Sequence, residues 1–291
     1  MIRKLYPQHF MNSIISYIKI IRPANALMTA IAVILGAWLS KSNAGIRSII
    51  LLVIAAISAT GFGNVINDIK DIDTDRISHP GRPLPKKEIS PDSAVVFAFF
   101  LLSFSIVNSF LVSKAHCIAT VIPLVLLSIY AIFLKGTPFA GNIIVSVLAA
   151  YPLVFGGLFE PQMSRLLVPA LLAFLLNTAR EIAKDFQDIA GDMQAGLKTT
   201  AIMPQAVIKS IMLFISASYT ALLFVPFFLK QFGMAYALVC AVIVLPLNIY
   251  WSILVIKSSW ISYVSKISLI LKMEMLAGLA ALAIDQLIMS L

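Results

Sequence analysis

The feature that most limits what this chain can fold into is a series of apolar runs, each close to the length that crosses a bilayer. Nine windows stand out, at roughly 24–40, 47–67, 93–113, 116–134, 141–159, 165–184, 205–229, 232–256 and 268–290. A helix needs ~20 apolar residues to cross a hydrocarbon layer of about 30 Å. Inside that layer every backbone amide and carbonyl has to find its partner within the structure, which leaves helices or closed barrels. Continuous apolar runs of this length, without alternation, read as helices. The composition agrees: 60% of residues are hydrophobic and 12% charged, against about 25% charged in an average soluble domain. The expected fold is all-α, a polytopic membrane protein with about nine transmembrane helices in one domain over 1–291. Its first 22 residues should form an interfacial segment, with an amphipathic helix over 9–21 ended by Arg22-Pro23.

A net charge of +9 raises the question of nucleic acid, but no basic patch interleaved with aromatics is present. The Lys and Arg residues sit mostly in short loops between the apolar runs. With the N-terminus inside, the outer loops hold Lys41, Arg47, Lys114, Arg165 and Lys230, five of the 22 basic residues, and 17 fall on the inner side. That asymmetry predicts a cytoplasmic N-terminus in a prokaryotic plasma membrane. Cys117 and Cys240 lie in apolar runs and read as small buried hydrophobes. No cleavable signal peptide is expected, and no obligatory protein partner is evident.

Against this background the acidic residues are conspicuous. The stretch NVINDIKDIDTDRISHPGRPLP, 64–85, holds Asp68, Asp71, Asp73 and Asp75, and REIAKDFQDIAGD, 180–192, holds Glu181, Asp185, Asp188 and Asp192. Together these are eight of the thirteen acidic residues. The spacing of Asp68, Asp71 and Asp75 returns 117 residues later in Asp185, Asp188 and Asp192. Four spans separate the clusters, and an even number preserves direction. The halves should therefore be parallel four-helix pseudo-repeats followed by a final helix, with both clusters in inner loops at 68–92 and 185–204.

Asn67, Asp71 and Asp75 are four apart and share a face on a continuing helix, as do Asp188 and Asp192. Carboxylates so close repel one another unless a cation lies between them. All-oxygen donors suit Mg²⁺, which commonly shares its coordination with substrate phosphates. Two facing clusters suggest two or more Mg²⁺ holding a diphosphate, with Lys70, Arg76, Arg82, Arg180, Lys184 and Lys198 near enough to add positive charge. A diphosphate at the mouth of an apolar cavity suggests a hydrophobic tail and an allylic C–O bond that ionises. An ion-coupled transporter is the alternative from another class, disfavoured because the acids lie at helix ends.

The run Asn67 to Pro85 is similar to the first Asp-rich motif of the UbiA superfamily of intramembrane prenyltransferases, N-D-x-x-D-x-x-x-D followed by P-x-R-P. The run Asp185 to Asp192 resembles its second motif, D-x-x-D-x-x-x-D. Arg22-Pro23 with Asn25, Tyr130, Lys135 and Gly141-Asn142 fall in the expected order around them. The resemblance implies a nine-helix bundle with a cavity on the cytoplasmic side. It implies that Asn67, Asp71, Asp75, Asp188 and Asp192 hold Mg²⁺ and a prenyl diphosphate, and that Asp68 and Asp185 support them. Arg76 and Lys135 would contact the diphosphate, Tyr130 would lie near the reacting carbon, and Arg22 and Asn25 would meet the acceptor's polar head. The run Arg180-Glu181, Lys184-Asp185, Gly191-Asp192 is similar to an archaeal-type branch. That branch transfers a geranylgeranyl group to geranylgeranylglyceryl phosphate. Aromatic acceptors such as 4-hydroxybenzoate or a naphthoate, or a chlorophyll-type acceptor, remain the alternative.

Overall fold

The computed structural model describes residues 14–194 and 196–290, and all of their regular structure is helical. A short helix α1 (Ile14–Ile20) meets α2 (Pro23–Leu39) at a bend of 59°. Residues 9–13 of the expected amphipathic helix lie outside the described residues. After α2 come α3 (Ile46–Lys70), the short α4 (Ile72–Ser78), α5 (Pro91–Phe110) and α6 (Lys114–Ile129), which runs on into a π turn over Tyr130–Leu134. The second half repeats the order with α7 (Ala140–Gly156), α8 (Leu167–Gln187), the short α9 (Ile189–Gln194) and α10 (Gln205–Leu223). It closes with α11 (Val225–Phe228), α12 (Met234–Val239), α13 (Leu245–Ile256) and α14 (Val264–Met289).

Each of the nine expected windows holds helix, but the count of spans is smaller. Among the described residues seven helices are long and apolar enough to cross a membrane, or eight if bent α1 and α2 count as one. The difference lies in α7, whose 17 residues reach only about 25 Å at 1.5 Å per residue. It starts where expected, just after the turn that Phe139 makes at φ 59, but stops early, at Gly156-Gly157. The expected loops at 68–92 and 185–204 also start too early. Asp68 lies inside α3 and Asp185 inside α8, where side-chain partners described below let the helix carry each carboxylate further. Ile46, Phe214, Phe228 and Val242 stand out from the surface, as expected where lipid is the solvent.

The 117-residue repeat is written in the backbone. Arg22 and Phe139, 117 apart, precede α2 and α7 with φ 56 and φ 59. Asp71 and Asp188, also 117 apart, break the chain between α3 and α4 and between α8 and α9 with near-identical angles, φ −95 ψ 5 and φ −95 ψ 2. The equivalent helices α2 and α7 cross backbone to backbone. A Cβ added at Gly36 would stand 2.0 Å from the carbonyl oxygen of Leu153, its own repeat equivalent, and one at Gly156 would stand 2.0 Å from that of Val33. Equivalent positions meeting each other mark where an axis relating the two halves has to run. With both halves pointing the same way, α4 and α9 come into contact at one end of the bundle.

Candidate active site

Both Asp clusters open onto a single pocket of about 120 Å³ at that end. The break at Asp71 bends the chain without losing the helical register. The Asp71 amide donates to the Asn67 carbonyl at 2.9 Å, and the Asp75 amide donates to the Asp71 carbonyl at 2.7 Å. Asn67, Asp71 and Asp75 therefore stay on one face and line the pocket. In the second half the Asp188 amide donates to the Lys184 carbonyl at 2.9 Å and the Asp192 amide to the Asp188 carbonyl at 3.0 Å. Asp185, Asp188 and Asp192 line the opposite wall.

The two walls are pressed together at Gly191. A Cβ there would lie 2.3 Å from Ser78 Oγ and 3.0 Å from Thr74 Cγ2, both on α4. Gly191→Ala must push α9 off α4, at a cost of about 1–3 kcal/mol for overpacking, and so spread the two aspartate sets. We expect turnover by Gly191→Ala to fall about tenfold, with part of the loss recovered when Ser78→Ala removes the obstructing hydroxyl. Initial rates measure both; a Gly191→Ala rate within twofold of the parent contradicts the close approach.

The carboxylates have distinct partners. Asp71 pairs with Lys135, and Arg82 reaches Asp75 at 2.6 Å and Asp68 at 3.4 Å. Arg22 also pairs with Asp68, which lies buried behind the pocket wall. His79 Nε2 lies 3.0 Å from Asp188 Oδ1, so the loop after the first cluster touches the second. Among the described residues Asp185 receives neutral donors, Asn142 Nδ2 at 3.0 Å and the Thr200 amide at 3.2 Å. Burial holds Asp75 above the usual carboxylate range against the pull of Arg82. Burial, then the charges of Asp185 and Asp188, lifts Asp192 to about 6.

Tyr130 and Lys135 owe their place to the π turn. The Lys135 amide donates to the Tyr130 carbonyl at 2.9 Å, a five-residue step that turns both side chains into the pocket. Such turns are frequent at functional sites. Arg22, Arg82 and Lys184 also line it. Four expected residues do not line the pocket: Asp68, buried behind its wall, and Arg76, Asn25 and Arg180. Arg76 is exposed and pairs with Asp73 at 2.7 Å. Asn25 and Arg180 are half-buried but do not line the pocket. The pocket also gathers His79, Asn142 and Glu181, to which sequence reasoning gave no role of their own. Asn142 had a signal: it stands 43 residues before Asp185, as Asn25 stands 43 before Asp68.

The donor set suits a hard cation. It is all oxygen, and the Asn67 Oδ1 acceptor is buried without a hydrogen-bond partner. Among the described residues no three His, Cys, Asp or Glu side chains converge as a ready-made metal cage, and the carboxylates lean on Lys135, Arg82 and His79 instead. Magnesium fits such a site, since it takes one or two carboxylates and completes its coordination with water and substrate phosphate.

An apolar helical bundle with a carboxylate- and cation-lined pocket at one end defines a membrane enzyme for a charged head on a greasy tail. Comparison with known proteins makes the class specific. The model of the UbiA prenyltransferase family matches residues 26–268, and the chain belongs to that family: it is an integral-membrane prenyltransferase. The digeranylgeranylglyceryl phosphate synthase of Methanosphaera stadtmanae is 33% identical over 273 residues, covering 93% of this chain and 99% of the relative. A solved structure concerned with digeranylgeranylglyceryl phosphate synthase in membranes is 30% identical with a TM-score of 0.77, covering 94% of this chain and 98% of that one. A UbiA homologue from Archaeoglobus fulgidus bound to GPP and Mg²⁺ is 18% identical, with a TM-score of 0.62 over 92% of this chain and 99% of that one, and shares the fold.

Proposed function

We propose that the pocket transfers a geranylgeranyl group from geranylgeranyl diphosphate to the free hydroxyl of geranylgeranylglyceryl phosphate, forming the second ether of a diether lipid. The observation that carries the reaction class is the joint lining of one pocket by both Asp sets together with Lys135, Arg82 and Lys184. The choice of acceptor is supported by likeness to relatives named for that reaction.

Asn67, Asp71 and Asp75 on one wall and Asp188 and Asp192 on the other would hold two or more Mg²⁺ ions. When bound, the metal supplies positive charge that favours departure of the diphosphate. Lys135 and Arg82, which both line the pocket, take charge on the diphosphate oxygens as the allylic C–O bond breaks and the electron pair leaves with oxygen. Tyr130 walls the reacting carbon, and the apolar bundle keeps water from capturing the cation before the acceptor oxygen does. That oxygen forms the new ether bond and passes its proton to the departed diphosphate. The basic-residue asymmetry of the loops supports a cytoplasmic side for this pocket and the N-terminus.

The test is to incubate purified protein, Mg²⁺ and geranylgeranyl diphosphate with geranylgeranylglyceryl phosphate or with 4-hydroxybenzoate, and to identify products by mass spectrometry. The diether phosphate is expected from the first. A prenylated aromatic acid, with no diether, would replace this reading with the aromatic one.

A further inference from the structure

The two walls of the pocket are held in different ways. On the first, Asp71 and Asp75 each pair with a cation, Lys135 and Arg82. On the second, Asp188 and Asp192 meet no Lys or Arg within ion-pair distance among the described residues. Asp188 is held by His79 instead, with Oδ1 lying 3.0 Å from His79 Nε2. An ionised carboxylate only accepts, so the ring nitrogen is the donor. Among the described residues this is the one hydrogen bond from a first-half side chain to an aspartate of the second wall.

His79 reaches across the pocket from a backbone fastened to the first wall. It ends α4 with φ −139 ψ 58. Its amide donates to the Asp75 carbonyl at 2.9 Å, and its carbonyl accepts from the Arg82 amide at 3.0 Å. Arg82 is in turn the residue that pairs with Asp75. The imidazole therefore leaves a point fixed relative to one aspartate set and ends on the other. The repeat offers no counterpart, because 117 residues further on stands Gly196, which has no side chain. A carboxylate that binds a metal through one oxygen is oriented by a hydrogen bond to the other.

We propose that His79 is a positioning residue for metal binding: its ring clasps Asp188, aims the second carboxylate oxygen at the metal, and sets the spacing between the two aspartate sets. This rests on the reading that those sets hold Mg²⁺ with a diphosphate. His79 acts through Asp188 and not on the reacting carbon. What the role requires is a donor at the reach of Nε2. Glutamine supplies one, since its amide nitrogen lies as many bonds from Cα as Nε2 does. Leucine fills similar space and supplies none.

The test titrates Mg²⁺ against equilibrium binding of a non-hydrolysable geranylgeranyl diphosphate analogue to the parent, His79→Gln and His79→Leu. His79→Leu should need about ten- to a hundredfold more Mg²⁺ for half-maximal binding, the usual effect of losing a hydrogen bond behind a metal ligand. At saturating Mg²⁺ its affinity for the analogue should return to within about twofold of the parent's. His79→Gln should stay within about threefold of the parent in its Mg²⁺ requirement. An unchanged Mg²⁺ requirement in His79→Leu, or an equal rise in both variants, overturns the clasp. Affinity that stays low in His79→Leu even at saturating Mg²⁺ marks a merely structural role and overturns it too. Parent binding that ignores Mg²⁺ overturns the metal reading itself, and the clasp with it. His79 is half-buried at the pocket edge, so neither substitution opens a hole in the core, and thermal unfolding of each variant reports whether its fold is kept.

Discussion

Asp71→Asn or Asp188→Asn is expected to lower prenyl transfer by about 10³-fold or more while leaving the protein folded in detergent. A loss of that size corresponds to ~4 kcal/mol of transition-state stabilisation at 1.36 kcal/mol per decade. The two residues are equivalent by the 117-residue repeat, sit at the two chain breaks, and face each other across the pocket. Asparagine keeps the shape and the backbone capping but removes the charge that would hold a divalent cation. Folding should suffer little, because among the described residues each side chain has one cationic or His neighbour, Lys135 or His79, and such pairs at a wet pocket are worth about 1 kcal/mol or less. Asp73→Asn is the internal control: Asp73 is exposed, pairs only with Arg76 among the described residues, and should leave the rate unchanged. Near-parental turnover in either pocket variant would remove that carboxylate from the machinery.

The second large effect concerns stability, far from the pocket. Glu274, fully buried on α14, accepts Asn248 Nδ2 at 3.0 Å and Trp251 Nε1 at 2.9 Å, both from α13. Ser216 and Thr220 of α10 donate in turn to Asn248 Oδ1 at 2.6 and 3.2 Å. Three helices of the second half are thus joined through one carboxylate with no Lys or Arg beside it among the described residues. Glu274→Ala strands two buried donors, each costing about 1–3 kcal/mol, and leaves a void. We expect a loss of roughly 4 kcal/mol. Glu274→Gln keeps one acceptor oxygen and should lose about 1–2 kcal/mol. Thermal unfolding of the purified protein in detergent measures both. An Ala variant as stable as the Gln variant contradicts the network.

What the sequence made legible depended on signals local to the chain. Apolar runs and clustered carboxylates are visible wherever they occur, so the helical bundle, the two walls of the pocket and the 117-residue repeat could be read directly. The chain breaks at Asp71 and Asp188 were not visible, because Asp71-Ile72 and Asp188-Ile189 carry no Gly or Pro to announce them. Arg76 was assigned a diphosphate contact by resemblance; on α4 it is exposed, pairs with Asp73 and does not line the pocket, a placement that no local signal announces. The polar network around Glu274 was invisible for another reason. Its partners lie on α10 and α13, and a lone Glu between Met273 and Met275 gives no hint of them.

The claim on which the account depends is that two opposed sets of aspartates grip a diphosphate through a divalent metal. Equilibrium binding of a non-hydrolysable geranylgeranyl diphosphate analogue, with Mg²⁺ and with chelator, to the parent and to Asp71→Asn and Asp188→Asn tests it most directly. The account predicts binding that requires Mg²⁺ in the parent and is lost in each variant alone. Binding that is equally tight in chelator, or that survives in both variants with Mg²⁺ present, would contradict it.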